Sequence, residues 1–154
     1  MNLKPFQQAT VAHALEALSR RGGTRRFLVA DEVGLGKTLV AQGVIDGLRA
    51  RLGRHLNVFY VCSSLSIAHQ NRESLLDLVP EDVREAARVE VDRLTLLPRR
   101  RPSRRAPFTL FTLTPGTLPL KSRAGRADER AVIWHLLGDA LPGLRQHSTI
   151  KHHF

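Results

Sequence analysis

Apolar positions change period along this chain, and each change marks an element. Val11, Ala14, Leu15 and Leu18 recur at helical spacing, and Pro5 suits a first helical turn, so a helix is predicted over about Pro5 to Ser19. Arg20-Arg21-Gly22-Gly23-Thr24 punctuates its end. Arg26–Ala30 is a short apolar run that reads as a buried strand. Val40, Val44, Leu48 and Leu52 form an i,i+4 stripe and predict a second helix. Asn57–Cys62, β-branched and aromatic, reads as a second buried strand. Strand, helix and strand within ~30 residues predict a βαβ unit with a right-handed crossover.

Further along, Ser63-Ser64 opens a helix running to about Leu78, and Pro80-Glu81-Asp82 restarts a short one to about Arg88. Val89–Leu97 alternates in part and reads as a strand. Pro98–Pro107, with five arginines, reads as a loop. Phe108–Leu113 is another strand, and Ala127 or Asp128 starts a helix containing Val132, Ile133, Leu136 and Leu137. The expected architecture is α/β: a mainly parallel sheet flanked by helices over residues 1–142, with a polar tail at 143–154.

Composition narrows the class. A chain of 154 residues suits one domain with a sizeable core. No apolar run approaches the ~20 residues of a membrane span, and the N-terminus lacks a signal-peptide core. The single cysteine, Cys62, has no internal partner, which points to a reducing, cytoplasmic setting. Net charge is +10 but unevenly placed. Residues 1–92 hold 12 Lys/Arg and 11 Asp/Glu, whereas residues 93–154 hold 12 and three. The second part therefore suits a polyanionic partner such as nucleic acid, with Arg99, Arg100, Arg101, Arg104 and Arg105 in one loop.

The chemistry concentrates in Asp31-Glu32-Val33-Gly34-Leu35-Gly36-Lys37-Thr38. An apolar run precedes it and a helix follows. Glycines there let backbone N–H groups close around an oxyanion, and the helix presents its positive end to the same anion. Lys37 suits the β- and γ-phosphates of a nucleotide, and Thr38 places a hydroxyl for Mg²⁺. The general phosphate-loop pattern has glycine where Asp31 stands.

That departure, with the rest of the loop, resembles motif I of superfamily 2 helicases, the DEAD/DEAH-type ATPases, particularly the DNA-translocase branch that includes chromatin remodellers. Leu3-Lys4-Pro5-Phe6-Gln7 is similar to the glutamine motif of the same superfamily, which implies that Gln7, or Gln8 if the register slips, reads adenine. Val61-Cys62-Ser63-Ser64-Leu65 is similar to motif Ia, and Thr114-Pro115-Gly116 to part of motif Ib. On that likeness Ser63, Ser64, Thr114 and Gly116 hold nucleic-acid phosphates. A helix cap explains the serines equally well, and a plain turn explains Pro115-Gly116. P-loop kinases and GTPases usually keep the first loop glycine, against Asp31.

One motif of that superfamily is missing. Hydrolysis there needs a carboxylate pair after an apolar strand, to hold Mg²⁺ and to position water. Asp31-Glu32 belongs to the phosphate loop, and Asp128-Glu129 reads as a helix start. The resemblance thus implies the N-terminal part of a first RecA-like lobe, cut before motif II. It would use ATP and Mg²⁺, act on nucleic acid (DNA rather than RNA) with a second RecA-like lobe, and not hydrolyse ATP alone. The competing reading is a non-enzymatic basic nucleic-acid-binding module with a relic phosphate loop.

Overall fold

The computed structural model describes residues 2–90, 93–99, 103–117, 126–141 and 143. Arg100 and Arg101 and the polar tail beyond 143 lie outside these residues. Helix α1 spans Pro5–Ser19. Its start is set by proline at the first helical position and by Gln7, whose Oε1 accepts the Lys4 N–H at 2.9 Å. Gln7, Val11, Ala14 and Leu15 make its buried face. Helix α2, Lys37–Leu52, lies against α1 through Val40, Val44 and Leu48. The fourth residue of the predicted stripe, Leu52, is exposed. Arg51 closes the pair by donating to the Leu15 carbonyl at 3.0 Å, so the two helices run side by side in the same direction.

A three-stranded parallel sheet forms the centre. Strand β1 is Leu56–Val61, β2 is Arg88–Glu90 and β3 is Phe108–Leu113, in the order β1-β3-β2. Leu56 pairs with Phe108 and Arg88 with Leu110, so β3 lies between the other two. Helices α3, Leu65–Leu76, and α4, Glu81–Ala87, connect β1 to β2. Leu75, Leu76, Val79, Ala87, Phe108 and Leu110 form the main core, joined by Ile45 from α2. The expectation of a mainly parallel sheet flanked by helices holds.

Two predicted strands differ. Of Val89–Leu97, the described strand is Arg88–Glu90, and a 3₁₀ turn occupies Leu94–Arg99. Arg26–Ala30 is not a strand: it has no ladder partner, and Leu28 is 84% exposed. The predicted βαβ unit from 26–30 to 57–62 is therefore absent from the sheet. The physical reason is geometric. A cavity of about 470 Å³, lined by Phe27 and Val29 on one side and Val58, Phe59 and Tyr60 on the other, separates the segment from the edge of β1. Among the described residues no strand lies in that gap, so neither side has a ladder partner there. Only Val29 joins the α1–α2 cluster.

Helix α5, Ala127–Ala140, carries the second Asp-Glu pair in its first turn, as expected. Glu129 is buried: it accepts from the Arg126 N–H at 2.9 Å and the Thr95 hydroxyl at 2.6 Å, with Arg93 at 3.7 Å. These bonds tie α5 to the 3₁₀ turn, and they hold the Glu129 carboxyl below its ordinary pKa, the Thr95 hydroxyl most strongly. No described helix is long and apolar enough to cross a membrane.

Candidate nucleotide site and basic surface

The loop 31–36 leads into α2 through Gly36, whose φ of 77° is left-handed, and Gly34 has a φ of 91°. Both positions favour glycine, and at Gly36 a Cβ would lie 2.6 Å from Gln7 Nε2. The α2 N-terminus has no side-chain cap, so its first N–H groups and the positive end of the helix dipole face the loop. Lys37 bends back over the loop, and its Nζ donates to the carbonyls of Asp31 at 2.7 Å and Glu32 at 2.8 Å. Asp31 Oδ2 is buried without a hydrogen-bond partner among the described residues, an acceptor that a bound water or donor would satisfy. Glycine turn, uncapped helix and lysine together fit a phosphate chain. Val33 is 98% exposed, and Leu35 projects from the same loop.

Gln7 is buried, and its amide is committed to loop backbone. Nε2 donates to the Leu35 carbonyl at 3.0 Å while Oε1 holds the Lys4 N–H. It latches α1 to the phosphate loop, and contact with a base would require exchange of these bonds. Thr38 Oγ1 donates to Asn71 Oδ1 at 3.3 Å, and Asn71 Nδ2 donates to the Tyr60 hydroxyl at 2.7 Å. This chain runs from the phosphate loop through α3 to β1. Burial pushes the Tyr60 pKa up, with the Asn71 bond opposing it. Asn71 and Tyr60 escape sequence reasoning, because their roles depend on two elements meeting across the sheet.

The candidate nucleic-acid contacts divide into two groups. Cys62 N–H donates to the Leu113 carbonyl at 3.1 Å, which brings Ser63-Ser64 and Thr114-Pro115-Gly116 to adjacent strand ends. Ser63 and Gly116 are exposed, whereas Thr114 is buried. Ser64 is the N-cap residue of α3, yet its side chain makes no cap bond and pairs with Ser66 Oγ at 2.8 Å. Arg104 and Arg105 are exposed and precede the other end of β3. Six residues of strand place the two groups about 20 Å apart. Arg99 falls at the end of the 3₁₀ turn. Among the described residues no cluster of three metal-ligating side chains occurs.

The decisive comparison is with protein families. The model of the type III restriction enzyme res subunit family matches residues 1–112. The chain belongs to this family. The resemblance to superfamily 2 read from residues 31–38 is thereby supported independently, and the chain is a helicase-type, nucleotide-binding module, consistent with the N-terminal part of a RecA-like lobe. Dependence on ATP and Mg²⁺ and interaction with nucleic acid follow for the family in general. Neither a curated protein nor a solved structure matches the chain.

Proposed function

We propose that this chain is the ATP-binding part of a superfamily 2 DNA translocase or helicase. The observation that carries the reading is the phosphate loop: left-handed Gly34 and Gly36, Lys37 across the mouth, and an uncapped 16-residue helix behind it. Bound ATP with Mg²⁺ would supply the phosphoanhydride whose cleavage drives movement. On the protein side, the backbone N–H groups of Gly34, Leu35 and Gly36 and the Lys37 ammonium, now on two carbonyls, would hold the phosphates, and the Thr38 hydroxyl, now on Asn71, would hold the metal. Asp31, Glu32 and Val33 shape the loop. Ser63, Ser64, Thr114 and Gly116 form the nucleic-acid edge of this reading through backbone groups and hydroxyls, although Thr114 must move to take part.

Turnover needs a carboxylate beside the phosphates. Glu129 is engaged with Thr95 and Arg126, and Asp128 with Arg126 at 3.0 Å, so that pair serves α5. The chain alone therefore binds ATP without hydrolysing it, and a second RecA-like lobe completes the machine.

The test is titration of a fluorescent ATP analogue with Mg²⁺. Lys37→Ala is expected to weaken binding, since each charge-assisted phosphate contact is worth roughly 1.5–3 kcal/mol. Equal affinities would remove the phosphate-loop assignment and leave a basic module with a relic loop. Phosphate release above a Lys37→Ala control would instead overturn the claim of no turnover.

A further inference from the structure

The turn after α2 and the residues before β3 line a second cavity, of about 390 Å³, at the end of the sheet where β1 and β3 begin. Arg49, Arg54, Arg104, His55 and Asp46 supply its polar lining. Asp46 is the one acid there, and Arg49 engages it at 3.2 Å. Arg54 and Arg104 are exposed and have no acidic partner among the described residues. Two guanidinium groups thus face one cavity without compensation. The C-terminal end of α2 contributes partial negative charge, which Arg49 and Arg51 in its last turn offset.

His55 brings the two arginines together. Its Nδ1 donates to the Ala106 carbonyl at 3.1 Å, and its Nε2 shares a hydrogen bond with Thr109 Oγ1 at 2.9 Å. Thr109 is fully buried. The imidazole therefore clamps the turn carrying Arg54 to the chain carrying Arg104, across 51 residues of sequence. The clamp fixes the two backbone segments from which the arginines extend, and guanidinium forks match phosphate oxygens well. The 16 residues of α2 put the cavity about 24 Å from Lys37.

We propose that this cavity binds a backbone phosphate of a nucleic-acid strand, at a site separate from the phosphate loop. The proposal rests on the nucleic-acid half of the function proposed above and not on ATP binding. A free polyphosphate shares the chemistry, and the experiment separates the two sources.

Anisotropy of a fluorescein-labelled single-stranded DNA is followed over a salt series. The full chain carries Lys37→Ala, to silence the loop, with or without Arg54→Gln and Arg104→Gln. Loss of the one phosphate that the two arginines share is expected to lower the log–log salt slope by about 0.7. Ala50→Trp, on an exposed α2 position lining the cavity, fills it without altering charge and is expected to weaken binding by about tenfold. An unchanged slope in the double variant, or full affinity in Ala50→Trp, overturns the site while leaving other DNA contacts standing. Failure of the parent chain to bind DNA overturns both the site and the nucleic-acid half of the function, while ATP-analogue binding remains a separate result. Tripolyphosphate binding that depends on Arg54 and Arg104, without DNA binding, overturns the strand as occupant in favour of a free polyphosphate.

Discussion

Residues 26–30 and β3 are alike in sequence and opposite in structure. Phe27-Leu28-Val29-Ala30 and Phe108-Thr109-Leu110-Phe111 are both short apolar runs with aromatic leads. In β3, Phe108 and Leu110 are fully buried and the strand has parallel partners on both sides. In 26–30, Phe27 is 39% exposed, Leu28 more so, and no ladder forms. The difference teaches that strand propensity describes a side chain's fit to a half-buried pleated surface, and the neighbouring backbone has to be there. β3 is held between β1 and β2, whereas 26–30 faces a cavity.

The largest expected effect tests the buried member. Phe108→Ala should destabilise the chain by about 3–5 kcal/mol, the usual cost of emptying an aromatic core position. Urea unfolding followed by circular dichroism measures it. A loss below about 1 kcal/mol would mean that the core around β3 collapses freely, and the contrast with 26–30 would lose its basis.

A smaller effect is expected where the exposed segment enters the phosphate loop. Gly36→Ala places a Cβ at positive φ, at a cost of about 1–2 kcal/mol, and against Gln7 Nε2. Gln7→Ala removes the obstructing amide but leaves the φ strain, so the double variant should recover part of the loss. Full recovery would show that the latch contact, and not the backbone, governs this turn.

Much of this was legible in the sequence. Helix α1 and strand β3 fall at their predicted limits, because a proline start and a helical stripe define the one, and a run bounded by Pro107 and Pro115 defines the other. The glycine turn leading into α2 was legible because Gly34 and Gly36 adopt the left-handed backbone that such a turn needs. What escaped reading depends on tertiary neighbours. Segment 26–30 lacked a partner that no local pattern reveals. The Thr38–Asn71–Tyr60 chain and the His55 clamp join residues 11 to 54 positions apart. The arginine loop and the Ser63 and Thr114 turns were separate nucleic-acid candidates in the sequence, and β3 places Arg104 and Arg105 at one end of the sheet and Thr114 at the other.

Acid should reach a third region before β3. The Glu129 carboxyl is held below its ordinary pKa by Thr95 and by the Arg126 N–H. Its contribution is therefore full above the unfolded value and disappears as pH falls through the lower folded value. The single tryptophan, Trp134, lies on α5 and reports its attachment by fluorescence. On acidification the Trp134 signal should change below the ordinary glutamate range, while circular dichroism of the sheet persists. Glu129→Gln should remove that step, and an identical acid profile in the variant would show that other groups hold α5 in place.

The smallest effect is the one that most sharpens the contrast. Leu28 is 84% exposed, so Leu28→Ser removes little buried apolar area and should change stability by no more than about 0.5 kcal/mol. Phe108→Ala differs from it several-fold, although the two side chains belong to runs that read alike. Urea unfolding of both variants under one set of conditions makes the comparison direct. A cost for Leu28→Ser above about 1 kcal/mol would mean that Leu28 is covered in solution, and that 26–30 has acquired the strand neighbour it lacks across the cavity from β1. Amide exchange at 26–30 decides between these outcomes independently: rapid exchange accompanies an unpaired segment, and protection approaching that of β3 accompanies a paired one.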